Sequence, residues 1–359
     1  MILRELTLNR FKSFEEAHFR FGALMNAFTG NNGAGKTNIL DAIYLLAFGK
    51  SYFNLRLSQL INHGHDFFSV KGVFANDQSE ESILINYRKG EKKTIKRNGK
   101  AYEKLSEHIG LIPLVMISPY DRDLISERGE TRRKFLDKLI AQFDKNYLAD
   151  LVAYQRYLTH RNSLLKYFAV NQTFDAATLS VYNEKLVQYG NSIYRKRKEF
   201  MERFRPFLAE KYRWLSAGSE QADVRYHSAL DKHSFVQLLE ENLNRDRLLQ
   251  YTSAGIHRDD LIFELDGYPI KHFGSQGQQK SFLIALRLAE YEMLKNRKQT
   301  APILLFDDIF DKLDAQRVEK IVRWTEEGSF GQVFLTDTHA ERINRLFKNI
   351  NGKTEIFPL

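Results

Sequence analysis

The stretch Gly30-Asn31-Asn32-Gly33-Ala34-Gly35-Lys36-Thr37 restricts what this chain can fold into more than any other part of it. It fits G-x-x-x-x-G-K-[ST], the phosphate-binding loop, and both flanks suit that motif. Leu24 to Thr29 reads as a short buried strand, and the run opening at Asn38 repeats apolar residues at helical spacing. Chemistry demands this order. Glycines let backbone N–H groups curl round phosphate oxygens, and the helix N-terminus adds partial positive charge. Lys36 is then placed for the β- and γ-phosphates and the Thr37 hydroxyl for Mg²⁺. The segment Gly30 to Asn38 is therefore expected to bind a nucleoside triphosphate. A lysine serving only phosphates is expected to stand in solvent, so that its loss would leave the fold intact.

A second stretch completes the first. Ile303-Leu-Leu-Phe-Asp307-Asp308 is four apolar residues ending in two carboxylates, the Walker B arrangement. Its strand is expected to be buried, with Asp307 joining Thr37 as a metal ligand and Asp308 orienting the attacking water. Many buried strands end in aspartate, so this reading depends on the loop upstream.

Around these motifs the pattern is that of an α/β protein. Residues 1–22 alternate as antiparallel strands, and Phe67 to Phe74 and Ile83 to Tyr87 read as further strands. A basic hairpin follows, with turns at Lys89-Gly90 and Asn98-Gly99, and then a buried strand from Leu111 to Ile117. From Arg128 the period becomes helical. One segment, with or without a break, runs from Phe135 to Phe168, a turn falls between Asn171 and Ala176, and a second segment runs from Leu179 to the Pro206 region. After Tyr251 come a hairpin on Asp266-Gly267, an amphipathic helix from Ser275 to Leu294, and buried strands at Pro302 to Asp307 and Val333 to Thr336. The expected division is 1–120 for the first part of an ATPase lobe, 121–254 for a helical insertion and 255–359 for the rest of the head.

Charge and composition narrow the partners. Lysine and arginine number 54 against 45 acidic residues, a net +9 that favours nucleic acid or another acidic partner. Lys92, Lys93, Lys96 and Arg97 of the hairpin are candidates for phosphate contacts with DNA; the alternative is a solvated edge hairpin kept charged against aggregation. With no cysteine there are no disulfides or thiolate metal sites, which fits a reducing cytoplasm. The N-terminus carries charges where a signal peptide needs an apolar core, and Ile109 to Ile117 is too short to span a bilayer. A cytoplasmic protein is expected.

Gly274-Ser275-Gln276-Gly277-Gln278-Gln279-Lys280-Ser281 resembles the signature motif of ABC-type ATPases, which opens a helix ahead of the Walker B strand. That resemblance implies that Ser275, Gln276, Gly277 and Gln278 complete the nucleotide site of a second copy. A homodimer would close on two ATP molecules and reopen after hydrolysis. It also puts Asp311-Lys-Leu-Asp314 at the D-loop and makes His339 the candidate switch histidine, the other reading of His339 being structural. Asn9-Arg-Phe-Lys-Ser-Phe14 is similar to the opening of the SMC-type branch, whose heads act on DNA. This implies that Lys12 lies near the nucleotide, against the reading of an ordinary solvated turn lysine.

Within that branch the chain resembles the RecF family from end to end. Arg132-Arg-Lys-Phe-Leu-Asp137 matches R-R-x-F-L-D, Gly255-Ile-His-Arg-Asp-Asp-Leu261 matches G-P-H-R-D-D-L with Ile256 in place of proline, and Gly274 to Lys280 matches G-S-Q-G-Q-Q-[RK]. The resemblance implies an α/β ABC-type P-loop ATPase head with a short antiparallel helical hairpin inserted. It further implies ATP and Mg²⁺ as cofactors and ATP-dependent dimers at gaps and single-strand/duplex junctions in DNA. RecR would be the partner, and RecA loading in recombinational repair the outcome. Two departures stand out. No Q-loop glutamine follows Ile117, where Ser118-Pro-Tyr-Asp121 stands instead, and Asp308 replaces the glutamate usual after Walker B. The shorter side chain implies slow hydrolysis. The rival readings are a nucleotide-gated DNA clamp with negligible turnover and another ABC-type or SMC-like ATPase.

Overall fold

The chain builds most of one unit, leaves it after Asp121 for a second, and returns at Leu286. The structure, a computed structural model, describes residues 1–75, 79–216, 220–308, 315–326, 330–347 and 354–359. In the first unit, β1 (Ile2–Phe11), β2 (Phe14–Arg20), β4 (Phe67–Ala75), β5 (Glu80–Arg88), β6 (Thr94–Arg97) and β7 (Lys100–Ala101) form an antiparallel sheet in the order β2-β1-β4-β5-β6-β7. Its inward positions are the alternating apolar ones: Leu6, Leu8, Val70, Phe74, Ile83 and Ile85 are all buried. Between its strands the chain also makes β3 (Met25–Thr29) and helix α1 (Lys36–Phe48), and after it α2 (Leu105–His108) and β8 (Leu114–Ile117). Nearly every residue of α1 is buried, because it packs against both this sheet and strands of a second, parallel one. A helix apolar all round is a buried helix. Each of its leucines, isoleucines and Phe48 taken fully out of water contributes about 1.5–3 kcal/mol.

The second unit is mainly helical. It comprises α3 (Asp123–Ser126), α4 (Gly129–Ala141), α5 (Lys145–Asn171), α6 (Ala176–Ser216), α7 (Phe235–Glu241), α8 (Leu243–Leu249) and α9 (Ile270–Phe273), with a sheet in the order β11-β10-β9. These strands are β9 (Ala222–His227), β10 (Asp260–Leu265) and β11 (Tyr268–Pro269). The long pair α5 and α6 turns at 172–175, where Gln172 takes a left-handed backbone and the Asp175 carboxylate accepts from the N–H groups of Ala177 and Thr178. The helix expected to end near Pro206 continues to Ser216. Proline in a helix costs about 3 kcal/mol, but Phe204, Leu208, Tyr212 and Leu215 form a buried stripe on both sides of it. Packing outweighs propensity here. The division also differs from the sequence expectation: residues 255–285 belong with the helical unit rather than the head. The cause is the ladder between β10 and β9, which registers Asp260 to Leu265 against His227 to Ala222.

The returning chain supplies α10 (Gln276–Lys298), in which the boundary falls, then β12 (Ile303–Phe306), α11 (Ala315–Glu326), β13 (Val333–Asp337), α12 (Ala340–Leu346) and β14 (Thr354–Pro358). Strands β14-β3-β13-β12-β8 make a wholly parallel sheet, and β3, β8, β12 and β13 are buried along their whole length. Parallel strands put their carboxyl ends along one edge. The phosphate-binding loop after β3, Asp307 after β12, Ser118 after β8 and the segment after β13 therefore share that edge, where ligands of open α/β sheets bind. Among the described residues, no helix is long and apolar enough to cross a membrane.

Candidate nucleotide-binding site

The loop from Gly30 to Gly35 needs its glycines. Gly35 has φ +101°, and a Cβ there would lie 2.8 Å from the Phe14 ring and 2.9 Å from Ser13 Oγ. It is also the N-cap of α1, and no side chain caps that end, so the first-turn N–H groups face the loop. Asn38 is tied to the Asn9–Phe14 turn through Nδ2, which donates to Ser13 Oγ at 2.8 Å. Lys36 does not stand in solvent. It is 4 % exposed, and Nζ donates to the carbonyls of Gly30 and Asn31 at 2.7 and 2.9 Å. The expectation that this lysine is structurally idle is corrected: its charge holds the loop closed on itself.

Thr37 and Asp307 are 270 residues apart and meet directly, Thr37 Oγ1 donating to Asp307 Oδ1 at 2.8 Å. Asp307 also accepts from Thr336 Oγ1 at 3.2 Å and from Ser118 Oγ at 3.3 Å. Burial pushes its carboxyl up, the hydrogen bond from Thr37 pulls it back, and the neighbouring Asp308 charge pushes again. A hydroxyl and one carboxylate converging in this way suit Mg²⁺, which takes few protein oxygens and leaves the rest to phosphate and water. Asp308 is half-buried and has a left-handed backbone, φ +45°. Its N–H donates to Thr336 Oγ1 at 2.9 Å, and its Oδ1 lies 3.4 Å from the same hydroxyl. His339 is exposed at the N-cap of α12, its N–H on Asp337 Oδ1 at 2.7 Å. Arg342 donates to both oxygens of the Asp337 carboxylate, which fixes the turn bearing His339. The expected D-loop, Asp311 to Asp314, lies outside the described residues.

Sequence reading missed a cluster behind this edge. Lys12, itself left-handed at φ +50°, pairs with Asp41 of α1 at 2.6 Å, so its charge is directed at that carboxylate. Asp41 also accepts from Ser51 Oγ and Tyr52 N. Tyr52 OH donates to Asp121 Oδ1 at 2.5 Å, Arg287 of α10 donates to the same oxygen, and Ser118 N donates to Asp121 Oδ2 at 3.0 Å. Arg287 reaches Glu290 as well, at 2.6 Å. Burial opposes charge on this arginine, but Asp121 and Glu290 keep it firmly protonated. Asp121 thus fixes Ser118, whose hydroxyl touches Asp307. The one signal available was a pair of opposite charges, Arg287 and Glu290, inside an otherwise apolar helical run.

The signature residues lie in the second unit. Ser275, Gln276 and Gly277 are exposed at the start of α10. Ser275 and Gln278 form a capping box: Ser275 N donates to Gln278 Oε1 at 2.7 Å, and Gln278 N to Ser275 Oγ at 3.2 Å. In the other two motifs Lys134 and Arg258 are exposed, while the remaining charged side chains find partners within the second unit. Arg132 holds Asp260 through two hydrogen bonds, at 2.7 and 2.8 Å. Arg197, 1 % exposed, pairs with Asp137 at 2.9 Å and Asp259 at 3.1 Å. His257 bridges Tyr154 OH and the Thr252 carbonyl. Gly255 has φ +127°, and a Cβ there would strike Phe235 at 2.6 Å. These contacts tie α4, α6 and β10 together within the second unit.

The basic hairpin divides. Lys93 Nζ donates to the Gly49 carbonyl at the C-cap of α1, and burial pulls its ammonium pKa down. Arg97 is held by Glu81. Two of the four candidates for DNA thus serve the fold, while Lys92 is exposed and Lys96 half-buried.

The arrangement has known counterparts. The family model for the RecF/RecN/SMC N-terminal domain matches residues 2–355. The chain is 53% identical to the DNA replication and repair protein RecF of Flavobacterium johnsoniae over all of both chains. It is 45% identical to that of Parabacteroides distasonis, covering 99% of this chain and 97% of the relative. A solved structure of the recombination mediator protein RecF with ATP, in the RecFOR pathway, superposes with TM-score 0.88 at 30% identity, covering 94% of this chain and 92% of that one. An Smc head domain from Pyrococcus furiosus, at 19% identity and TM-score 0.57 over 99% and 93% of the two chains, shares the fold.

Proposed function

Because this chain belongs to the RecF family of DNA replication and repair proteins, we propose that it is a slow Mg²⁺-dependent ATPase that dimerises on ATP at gaps and single-strand/duplex junctions in DNA. Working with RecR, it assists the loading of RecA. The observation that carries this reading is the 2.8 Å contact between Thr37 Oγ1 and Asp307 Oδ1, which joins the phosphate loop to the Walker B carboxylate. In this mechanism Lys36 exchanges its two carbonyl partners for the outer phosphates of ATP, and the first-turn N–H groups of α1 bind the remaining phosphate oxygens. Thr37 and Asp307 would hold Mg²⁺, which would neutralise the charge that develops on the phosphates. Asp308 accepts a proton from the attacking water. Ser275 of a second copy reaches the γ-phosphate, and His339 senses it from the end of β13. Lys12, committed to Asp41, takes part by exchanging that partner or sharing it.

One observation favours a second reading, a nucleotide-gated clamp with negligible turnover. Asp308 lacks a methylene relative to glutamate and already lies against Thr336. Sedimentation with and without ATP and Mg²⁺ on a gapped duplex tests the common part; unchanged size with ATP bound would remove the dimer. Steady-state phosphate release, with and without that DNA, separates enzyme from clamp.

A further inference from the structure

Glu220 lies between α6 and β9, and its two oxygens serve two different elements. Oε2 accepts from Tyr212 OH at 2.7 Å, and Oε1 accepts from Gln278 Nε2 at 2.6 Å. Tyr212 is fully buried on α6, with its ring 6.3 Å from that of Phe282 on α10. Gln278 is the capping-box partner of Ser275. A chain of hydrogen bonds therefore runs from the core of α6 through Glu220 and Gln278 to the exposed signature turn.

Its chemistry is directional. A side-chain amide has two ends of like shape and opposite polarity, a carbonyl acceptor and an NH₂ donor. With Glu220 taking the NH₂ end, the carbonyl end must face Ser275 N–H, as it does. The flipped amide would set carbonyl against carboxylate and N–H against N–H, so it is excluded at both ends. Gln278 N–H in turn donates to Ser275 Oγ, which holds the hydroxyl oxygen over the helix end while the serine itself stays exposed. Gly277 adds an independent pointer. A Cβ on it would meet nothing nearer than Ser275 Oγ at 4.0 Å, so the fold itself does not need glycine there. Glycine is a poorer helix former than alanine, and its use leaves the surface beside the Ser275 hydroxyl open to close approach.

We propose that Glu220 is the positioning residue of the signature turn, fixing the aim of the Ser275 hydroxyl through the orientation of the Gln278 amide. This rests on the reading that Ser275 acts on the nucleotide of a second copy. The test compares Glu220→Ala, Glu220→Gln, Ser275→Ala and the double variant Glu220→Ala/Ser275→Ala by sedimentation in ATP and Mg²⁺, alongside ATP affinity measured on dilute monomer. Glu220→Ala should leave monomer ATP affinity within about twofold and weaken ATP-dependent dimerisation about tenfold, the size expected for losing a hydrogen bond to a charged group. Glu220→Gln should restore most of it, because a glutamine carbonyl still accepts from Gln278 in the same geometry, though more weakly than a carboxylate. The double variant should match Ser275→Ala alone, since one residue acts through the other. Additive effects, or failure of Glu220→Gln to rescue, would overturn the proposal. Normal dimerisation by Ser275→Ala would instead overturn the reading beneath it, whereas a defective Ser275→Ala beside a normal Glu220→Ala sinks Glu220 alone. Should Glu220→Ala lose its far-UV circular dichroism, Tyr212→Phe removes the other strut and must weaken dimerisation in the same direction. A wild-type Tyr212→Phe overturns the strut.

Discussion

Replacing Asp121 by asparagine tests the buried cluster behind the nucleotide edge. The Asp121 carboxylate accepts from Tyr52 OH, from two nitrogens of Arg287 and from Ser118 N. An asparagine keeps one oxygen, which can remain on Tyr52 and Arg287, but it turns an NH₂ group toward Ser118 N–H. A buried donor left unpaired costs about 1–3 kcal/mol. Breaking a buried ion pair costs about 3–5 kcal/mol, and Arg287 retains Glu290, so only part of that applies. The expected total is about 3 kcal/mol, confined to the first unit. The two tryptophans allow that localisation to be read: Trp324 lies in the first unit and Trp214 in the second. In a Trp214→Phe background the urea transition followed by Trp324 should lose that free energy. In a Trp324→Phe background the Trp214 transition should stay within about 0.5 kcal/mol. Affinity for Mg²⁺–ATP should also fall, because the Ser118 hydroxyl on Asp307 loses its anchor. A loss below about 1 kcal/mol, or an equal shift in both transitions, would refute the account of Asp121 as the cluster's charge centre.

Other outcomes follow from particular groups. Burial pulls His257 down from its ordinary value to about 4, so the unfolded chain binds a proton that the folded one refuses between pH 6.5 and 4. Stability of the second unit should therefore fall as pH drops through that window, by at most about 3 kcal/mol and less where water reaches the ring; His257→Gln should flatten the slope seen by Trp214, and an unchanged slope rules the imidazole out. Neutralising Lys92 and Lys96 should reduce the slope of log DNA affinity against log salt by about 0.9 for each DNA phosphate that these side chains neutralise. Lys93→Ala should leave that slope alone and lower the Trp324 transition instead, and the reverse pattern would reassign the hairpin. Asp308→Asn should retain Mg²⁺–ATP binding through Thr37 and Asp307 while cutting turnover about a hundredfold or more, measured as phosphate release. Wild-type turnover would make Asp308 a mere neighbour of Asp307.

The sequence disclosed what depends on short-range order. Gly30 to Thr37 is a contiguous motif, the β12 strand is an unbroken apolar run, and the turn at 172–175 lies between two clear helical periods. Strands β9 and β14 were not anticipated, since Ala-Asp-Val-Arg-Tyr-His and Thr-Glu-Ile-Phe-Pro are short and mixed in polarity. Ladder partners make them strands. The Lys12–Asp41 and Tyr52–Asp121–Arg287 contacts join residues scattered along the chain, and polar pairing has no period to betray it. The inward-facing arginines and aspartates of the family motifs teach the same lesson from the other side. Arg132, Asp137, Asp259 and Asp260 are charged residues of the motifs that carry the resemblance, yet each is paired within the second unit.

The hydrogen bond between Asp121 and Arg287 also bears on how this chain can be cut. Asp121 is the last residue before the chain leaves the first unit, and Arg287 is the second after its return. The exit and the re-entry are thus held side by side within the first unit by a bond of its own. A few flexible residues in place of 122–285 would close that gap, entering α10 at Leu286 as they would any helix start. The protein can accordingly be treated as a host with an insert. The shortened chain should keep the parallel sheet, the phosphate loop and Asp307 intact, while every signature residue leaves with the insert.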